Sequence, residues 1–206
     1  MVRHPLGCQC GDEDAHVLLE GQQDFLFGQV DRDKVVALNA TDPDNGKIVI
    51  RPWDDRMQEQ EFVESDADEQ LILQIPFTAS IKLRSIIIKS GPAGHTPDKM
   101  HVFANQLLDF DETSSQTPTQ SFDVAVTRDV IEFAVRPAKF PSIHSLTLFF
   151  PSNHGEDTSR ISFVGFKGEH TPFTRDPIIT VYEASANPAD HQKIPGLDET
   201  GHSQIG

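Results

Sequence analysis

The sequence predicts an all-β fold, an antiparallel sandwich, jelly roll or barrel, on three observations. Apolar residues alternate with polar ones over many short runs, the period of a strand with one buried face. Turn residues separate those runs at spacings of about 10–15 residues. No long amphipathic helical pattern interrupts them.

The chain is organised around residues 62–89. This stretch opens acidic and then becomes two apolar runs. Leu71, Leu73 and Ile75 alternate with Gln70 and Gln74, and Pro76 is expected to end that run because it has no N–H for a ladder. Ile81, Leu83, Ile86, Ile87 and Ile88 follow, apolar on both parities near the end, which predicts a strand covered on both faces.

Before this stretch, residues 1–19 read as a flexible tail. Phe25 to Val30 and Val35 to Leu38 fit two short strands, or a strand and a helical turn. Asp44-Asn45-Gly46 is a turn signal, and Ile48, Val49 and Ile50 read as a short strand. After it, Gly91-Pro92-Ala93-Gly94 is a loop and Met100, Val102 and Ala104 alternate. Residues 109–120 are polar and rich in Ser and Thr, a long loop by composition. Phe122, Val124 and Val126 alternate next, then Ile131, Phe133 and Val135, then Leu146, Leu148 and Phe150. Ile161 and Phe163 begin a run that Gly165-Phe166-Lys167-Gly168 is expected to close. Residues 178–182 read as a last strand, with a cap after it and a flexible tail from 196 to 206. One domain over residues 20–195 accounts for the chain, and 206 residues can bury a core without disulfides or metal.

The balance of 17 basic against 32 acidic residues gives a net charge of -15. Such a chain is not expected to bind nucleic acid, which requires Lys and Arg on phosphates. Anionic membranes repel it, and a basic protein surface attracts it. The charge is concentrated. Asp54, Asp55, Glu59, Glu61, Glu64, Asp66, Asp68 and Glu69 stand against Arg56 alone between residues 54 and 69. Glu64, Asp66, Asp68 and Glu69 are the candidate partner-binding residues, with a solvated loop as the plainer alternative. Cys8 and Cys10 are the two cysteines, so no disulfide framework exists and a reducing compartment is expected, cytoplasmic and possibly also nuclear.

Motifs for chemistry are sparse. Phosphate-loop, dinucleotide, nucleophile-elbow and H-E-x-x-H patterns are missing from the sequence. Cys8-x-Cys10, with His4 and His16 nearby, offers thiolate and imidazole to zinc or copper, but the spacing is tighter than the usual C-x2–4-C. A metal- or thiol-linked role through that pair stays an alternative, and no cofactor is expected. Asp66-x-Asp68 with Glu69 has no fixed partner for acid–base work, so an enzyme is not expected. Tyr182, Asn187 and His191 are candidates for a ligand contact or for a hydrogen-bonded cap on the last strand.

Several motifs, in order, resemble the PITH domain family. They are Phe62-Val63-Glu64-Ser65-Asp66-Ala67-Asp68-Glu69, then Gln74-Ile75-Pro76-Phe77 and Lys82-Leu83-Arg84-Ser85-Ile86-Ile87-Ile88. Pro97-Asp98-Lys99-Met100, Phe103-Ala104-Asn105 and Phe140-Pro141-Ser142-Ile143-His144-Ser145-Leu146 follow. The series ends with Gly165-Phe166-Lys167-Gly168-Glu169 and Val181-Tyr182-Glu183-Ala184-Ser185-Ala186-Asn187-Pro188-Ala189-Asp190-His191. The resemblance, over about residues 20–195, implies a jelly-roll-type antiparallel β-sandwich of galactose-binding-like kind and no catalytic activity. In the family's thioredoxin fusions it implies docking to the proteasome's regulatory particle. This chain has no thioredoxin-type C-x-x-C, so redox function does not carry over. The chain looks more like the small stand-alone members. The expected function is therefore a non-enzymatic protein-interaction module with a proteasome regulatory subunit as partner. The alternative is a small-ligand or carbohydrate-binding jelly roll, suggested by the fold alone.

Overall fold

A computed structural model of the chain describes residues 24–172. The expectations for Cys8, Cys10, Tyr182, Asn187, His191, the strand at 178–182 and both tails lie outside those residues. Eight strands are present among the described residues: β1 Val36–Leu38, β2 Val63–Glu64, β3 Leu71–Ser90, β4 Lys99–Ala104, β5 Gln120–Asp123, β6 Ile131–Ala134, β7 Ile143–Phe150 and β8 Arg160–Pro172. Every pairing is antiparallel.

The strand β3 organises the fold. Its first half lies between β1 and β7, and β4 and β5 continue outward from β7. Its second half lies between β6 and β8, with β2 beyond β8. The two halves thus belong to two layers of a jelly-roll-type sandwich. Leu71, Leu73 and Ile75 from one half and Ile81, Leu83, Ile86 and Ile88 from the other fill a single core cluster. Both ends of β3 return to neighbouring residues at the start of β8. Ser159 Oγ donates to the Glu69 carbonyl at 2.6 Å, and the Gly91 N–H donates to the Arg160 carbonyl at 2.7 Å.

Pro76 does not end the strand, contrary to the sequence expectation. It still stands opposite Ser145, and the register with β7 shifts between Pro76 and Ile81. The missing N–H marks the place where β3 leaves one layer for the other, and the Pro76 carbonyl accepts from the Asp31 N–H at 3.0 Å. The two-parity isoleucine run is covered on both faces, as the sequence predicts, with Ser85 to Lys89 all buried, and a bulge precedes it. Leu83 faces Gly168 and Ser85 faces Lys167, so Arg84 is the extra residue of a bulge. Past it the inward set changes from Ile81 and Leu83 to Ile86 and Ile88. Ile87 and Lys89 then face outward, yet are 0% and 1% exposed. On this outer face Phe163 stands opposite Lys89. Phe25 stacks on Phe163 at 6.2 Å and meets Trp53 edge-on at 5.8 Å.

Four other readings are corrected. Residues 48–50 are not a strand, because Pro43–Val49 is a 3-10 stretch that buries Val49 and packs Gly46 against the backbone of β1. The supposed loop at 109–120 contains the helix α1, Phe110–Ser115. Asp109 Oδ1 accepts from the Glu112 N–H at 2.9 Å and Glu112 Oε2 accepts from the Asp109 N–H at 3.1 Å, a reciprocal cap that outweighs the poor helix propensity of the Ser and Thr residues. Phe110 of α1 meets Phe149 edge-on over a second small cluster of Ile72, Phe103 and Leu108. The strand β5 stops at Asp123, so Val124 is buried but Val126 is exposed. Gly165 and Gly168 lie inside β8 rather than closing it.

Candidate functional site

The acidic segment is divided by buried cations. Arg51 is 5% exposed and sits inside the loop that follows it. Its guanidinium donates to the carbonyls of Gln58, Glu61 and Ser162 and lies 3.6 Å from the Glu61 carboxylate. Lys89 donates to the Arg128 carbonyl and pairs with Glu59 at 3.0 Å. Glu64 pairs with Arg160 at 3.0 Å and accepts from the Thr158 hydroxyl at 2.7 Å. Burial opposes ionisation of Glu64, but the Thr158 hydroxyl and the Arg160 guanidinium more than offset it and hold the carboxyl below its ordinary value. Glu59, Glu61 and Glu64 thus each face a cation that fixes the loop to β3 or β8.

The next turn is built on Asn39, which takes a left-handed backbone with φ of 58°. Its amide donates to Asp68 Oδ1 and to the Gln70 carbonyl, each at 2.7 Å, and its Oδ1 accepts from the Ala67 N–H at 3.1 Å. Asp68 Oδ1 also accepts from the Gln70 N–H at 3.0 Å. Ser65, 1% exposed, accepts through Oγ from the Ser159 N–H at 2.9 Å. The turn is therefore held from both sides, with Asp66 exposed and Glu69 half-buried.

Across from it, the 152–157 loop is closed by Asn153, whose amide donates to the Glu156 and Thr158 carbonyls. The two loops together line a shallow depression of about 540 Å³ with Asp68, Glu69, Glu156 and Asp157, and no basic residue lines it. Of the four predicted partner-binding residues, the structure brings Asp68 and Glu69 to this depression and ties Glu64 into the adjoining ion pair. Among the described residues, no group of three or more His, Cys, Asp or Glu is placed to hold a metal ion.

A second concavity, of about 370 Å³, is lined by Glu59, Phe62, Pro92, Arg128, Arg160 and Ser162, with Ser90, Gly91 and Thr127. The Arg160 guanidinium lies 4.8 Å from the Phe62 ring centre. Sequence reasoning missed this cleft, and also Glu156 and Asp157. The signal for the cleft was Lys89, a lone charge at the end of an isoleucine strand. The Arg56 guanidinium lies 4.4 Å and the Lys167 ammonium 5.3 Å from the Trp53 ring centre.

The chain matches the PITH domain profile over residues 16–186. It is 35% identical over 188 residues to a PITH domain-containing protein of Schizosaccharomyces pombe, covering 89% of this chain and 91% of that one. It is 39% identical over 194 residues to a PITH domain-containing protein of Drosophila melanogaster, covering 91% and 90%. Among solved structures, CBM32-5 of GH89 from Clostridium perfringens, in complex with GalNAc-beta-1,3-galactose, superposes with a TM-score of 0.52 at 10% identity, over 70% of this chain and 99% of that one. The CBM32-1, CBM32-2 and M60 catalytic domains of Clostridium perfringens ZmpB superpose with a TM-score of 0.51 at 10% identity, over 78% of this chain and only 16% of that one. At such identity the likeness is one of fold, a galactose-binding-like jelly roll. With the profile match, the full-length relatives and the β3-centred sandwich in agreement, the chain belongs to the PITH domain family.

Proposed function

We propose that this domain is a non-catalytic protein-interaction module whose acidic rim docks on a basic protein surface, and that this surface belongs to the regulatory particle of the 26S proteasome. The observation that carries the reading is the depression lined by Asp68, Glu69, Glu156 and Asp157, with no cation among its lining residues. Carboxylates gathered on two braced loops present a fixed negative surface, which favours encounter with a positive one. The proteasome as partner rests on the motifs shared with the family. The reading as a non-enzyme rests on the family resemblance, which implies no catalytic activity. The cytoplasm and nucleus are the compartments in which such a partner is met. Affinity capture of proteasomes from extract at graded salt tests the proposal.

A further inference from the structure

The lining of the cleft beside Arg160 carries one more cation than anion, and Glu64 outside it pairs with Arg160 at 3.0 Å. Arg128 and Arg160 line it, against Glu59. The Lys89 ammonium lies just behind its wall, because both of its partners, the Glu59 carboxylate and the Arg128 carbonyl, come from lining residues. Lys89 is 1% exposed, whereas the Glu59 side chain is 70% exposed. Removing the partner of a buried cation is strongly destabilising, so Lys89 requires an anion at this position. Here the counter-ion is a solvent-facing side chain on an irregular loop that Arg51 anchors at Gln58 and Glu61. Arg128 makes no side-chain hydrogen bond or ion pair among the described residues, and the Arg160 Nε is buried and unpartnered. Phe62 and Pro92 supply an apolar wall.

We propose that this cleft binds a small molecule carrying a single carboxylate or phosphate group on an apolar or flat body. Its anionic group takes the place of the Glu59 carboxylate at the Lys89 ammonium. Arg128 and Arg160 supply further donors, and the body rests on Phe62 and Pro92. The cleft volume suits a small ligand. The net charge of -15 disfavours a polyanion, because long-range repulsion grows with the ligand's own charge while the cleft offers only a few cations.

Titration calorimetry on the full chain at low ionic strength tests this, with phenyl phosphate, benzoate and neutral benzyl alcohol as probes. At least one of the two anions is expected to bind saturably, and the one that does identifies the ligand's anionic group. Benzyl alcohol is expected not to bind. Glu59→Gln removes the competing carboxylate and is expected to tighten anion binding about tenfold, while Arg128→Ala weakens it by a similar factor. Arg128 is exposed, so its variant is expected to keep the wild-type melting temperature and to report on the site rather than on folding. Failure of both anions to bind at about 10 mM overturns the proposal. Equal binding of benzyl alcohol, or anion affinities unchanged in both variants, overturns it as well.

Discussion

Asn39 and Asp68 are joined side chain to side chain at 2.7 Å across 29 residues of chain. The bond ties the end of β1 to the turn that carries the acidic rim. Asn39 also reaches Ala67 and Gln70, so one amide group positions the whole turn. Asn39→Ala loses these bonds and places an alanine at positive φ, and is expected to cost about 2–4 kcal/mol in urea unfolding. Asn39→Gly keeps the backbone conformation and loses only the bonds, so its cost is expected to be smaller, about 1–2 kcal/mol. Amide exchange at residues 66–70 should accelerate in both variants.

Acid should loosen the Glu64–Arg160 and Glu132–Lys167 pairs. In each case burial works against the charged carboxylate, yet hydrogen bonds and the facing cation hold the folded value below the ordinary 4.5. A depressed folded value means stability that is fully present above the unfolded value and is lost as pH falls through the folded one. Glu64→Gln is therefore expected to be less stable than wild type by about 1–2 kcal/mol at neutral pH. That gap should close steadily as pH falls below about 4.5, followed by urea unfolding at a series of pH values.

Gly168 should tolerate no side chain. A Cβ built there falls on the Lys82 carbonyl oxygen, and the neighbouring contacts are also backbone, which cannot step aside as a flexible side chain can. Gly168→Ala is expected to cost about 2–3 kcal/mol by thermal or urea unfolding, through overpacking between β3 and β8.

The reciprocal cap at α1 is expected to be worth about 1 kcal/mol. Asp109→Ala should lower stability by that amount and speed amide exchange in residues 110–115. Main-core amides should be unaffected, because α1 covers only the small cluster around Phe149.

The strands were legible where every second residue faces the main core. Leu146, Leu148 and Phe150 in β7 and Met100, Val102 and Ala104 in β4 follow the alternation and lie where it places them. Legibility failed where geometry changes within an element. Pro76 looked like a stop because a missing N–H usually ends a ladder, but here it marks a change of layer. The isoleucine run hid the bulge at Arg84, since a parity flip and two-sided burial give the same apolar string. The capping box of α1 was readable as Asp109-x-x-Glu112, but the surrounding Ser and Thr residues masked it. The acidic stretch was legible as a charge excess, not as a loop divided among Arg51, Lys89 and Arg160. Two of its cationic partners, Lys89 and Arg160, are distant in sequence, and the β3–β8 pairing brings them together. Glu156 and Asp157 joined the rim for the same reason.

Proteasome capture by the tagged full-length chain tests the central claim most directly. It compares wild type with an Asp66→Lys, Glu156→Lys, Asp157→Lys variant whose circular dichroism is unchanged. None of these three side chains braces its loop, so the reversal alters charge with little effect on the fold. The account predicts recovery of regulatory-particle subunits by wild type at low ionic strength, a progressive loss with added salt, and little recovery by the variant. No recovery by wild type at low ionic strength, or equal recovery by the variant, would contradict it.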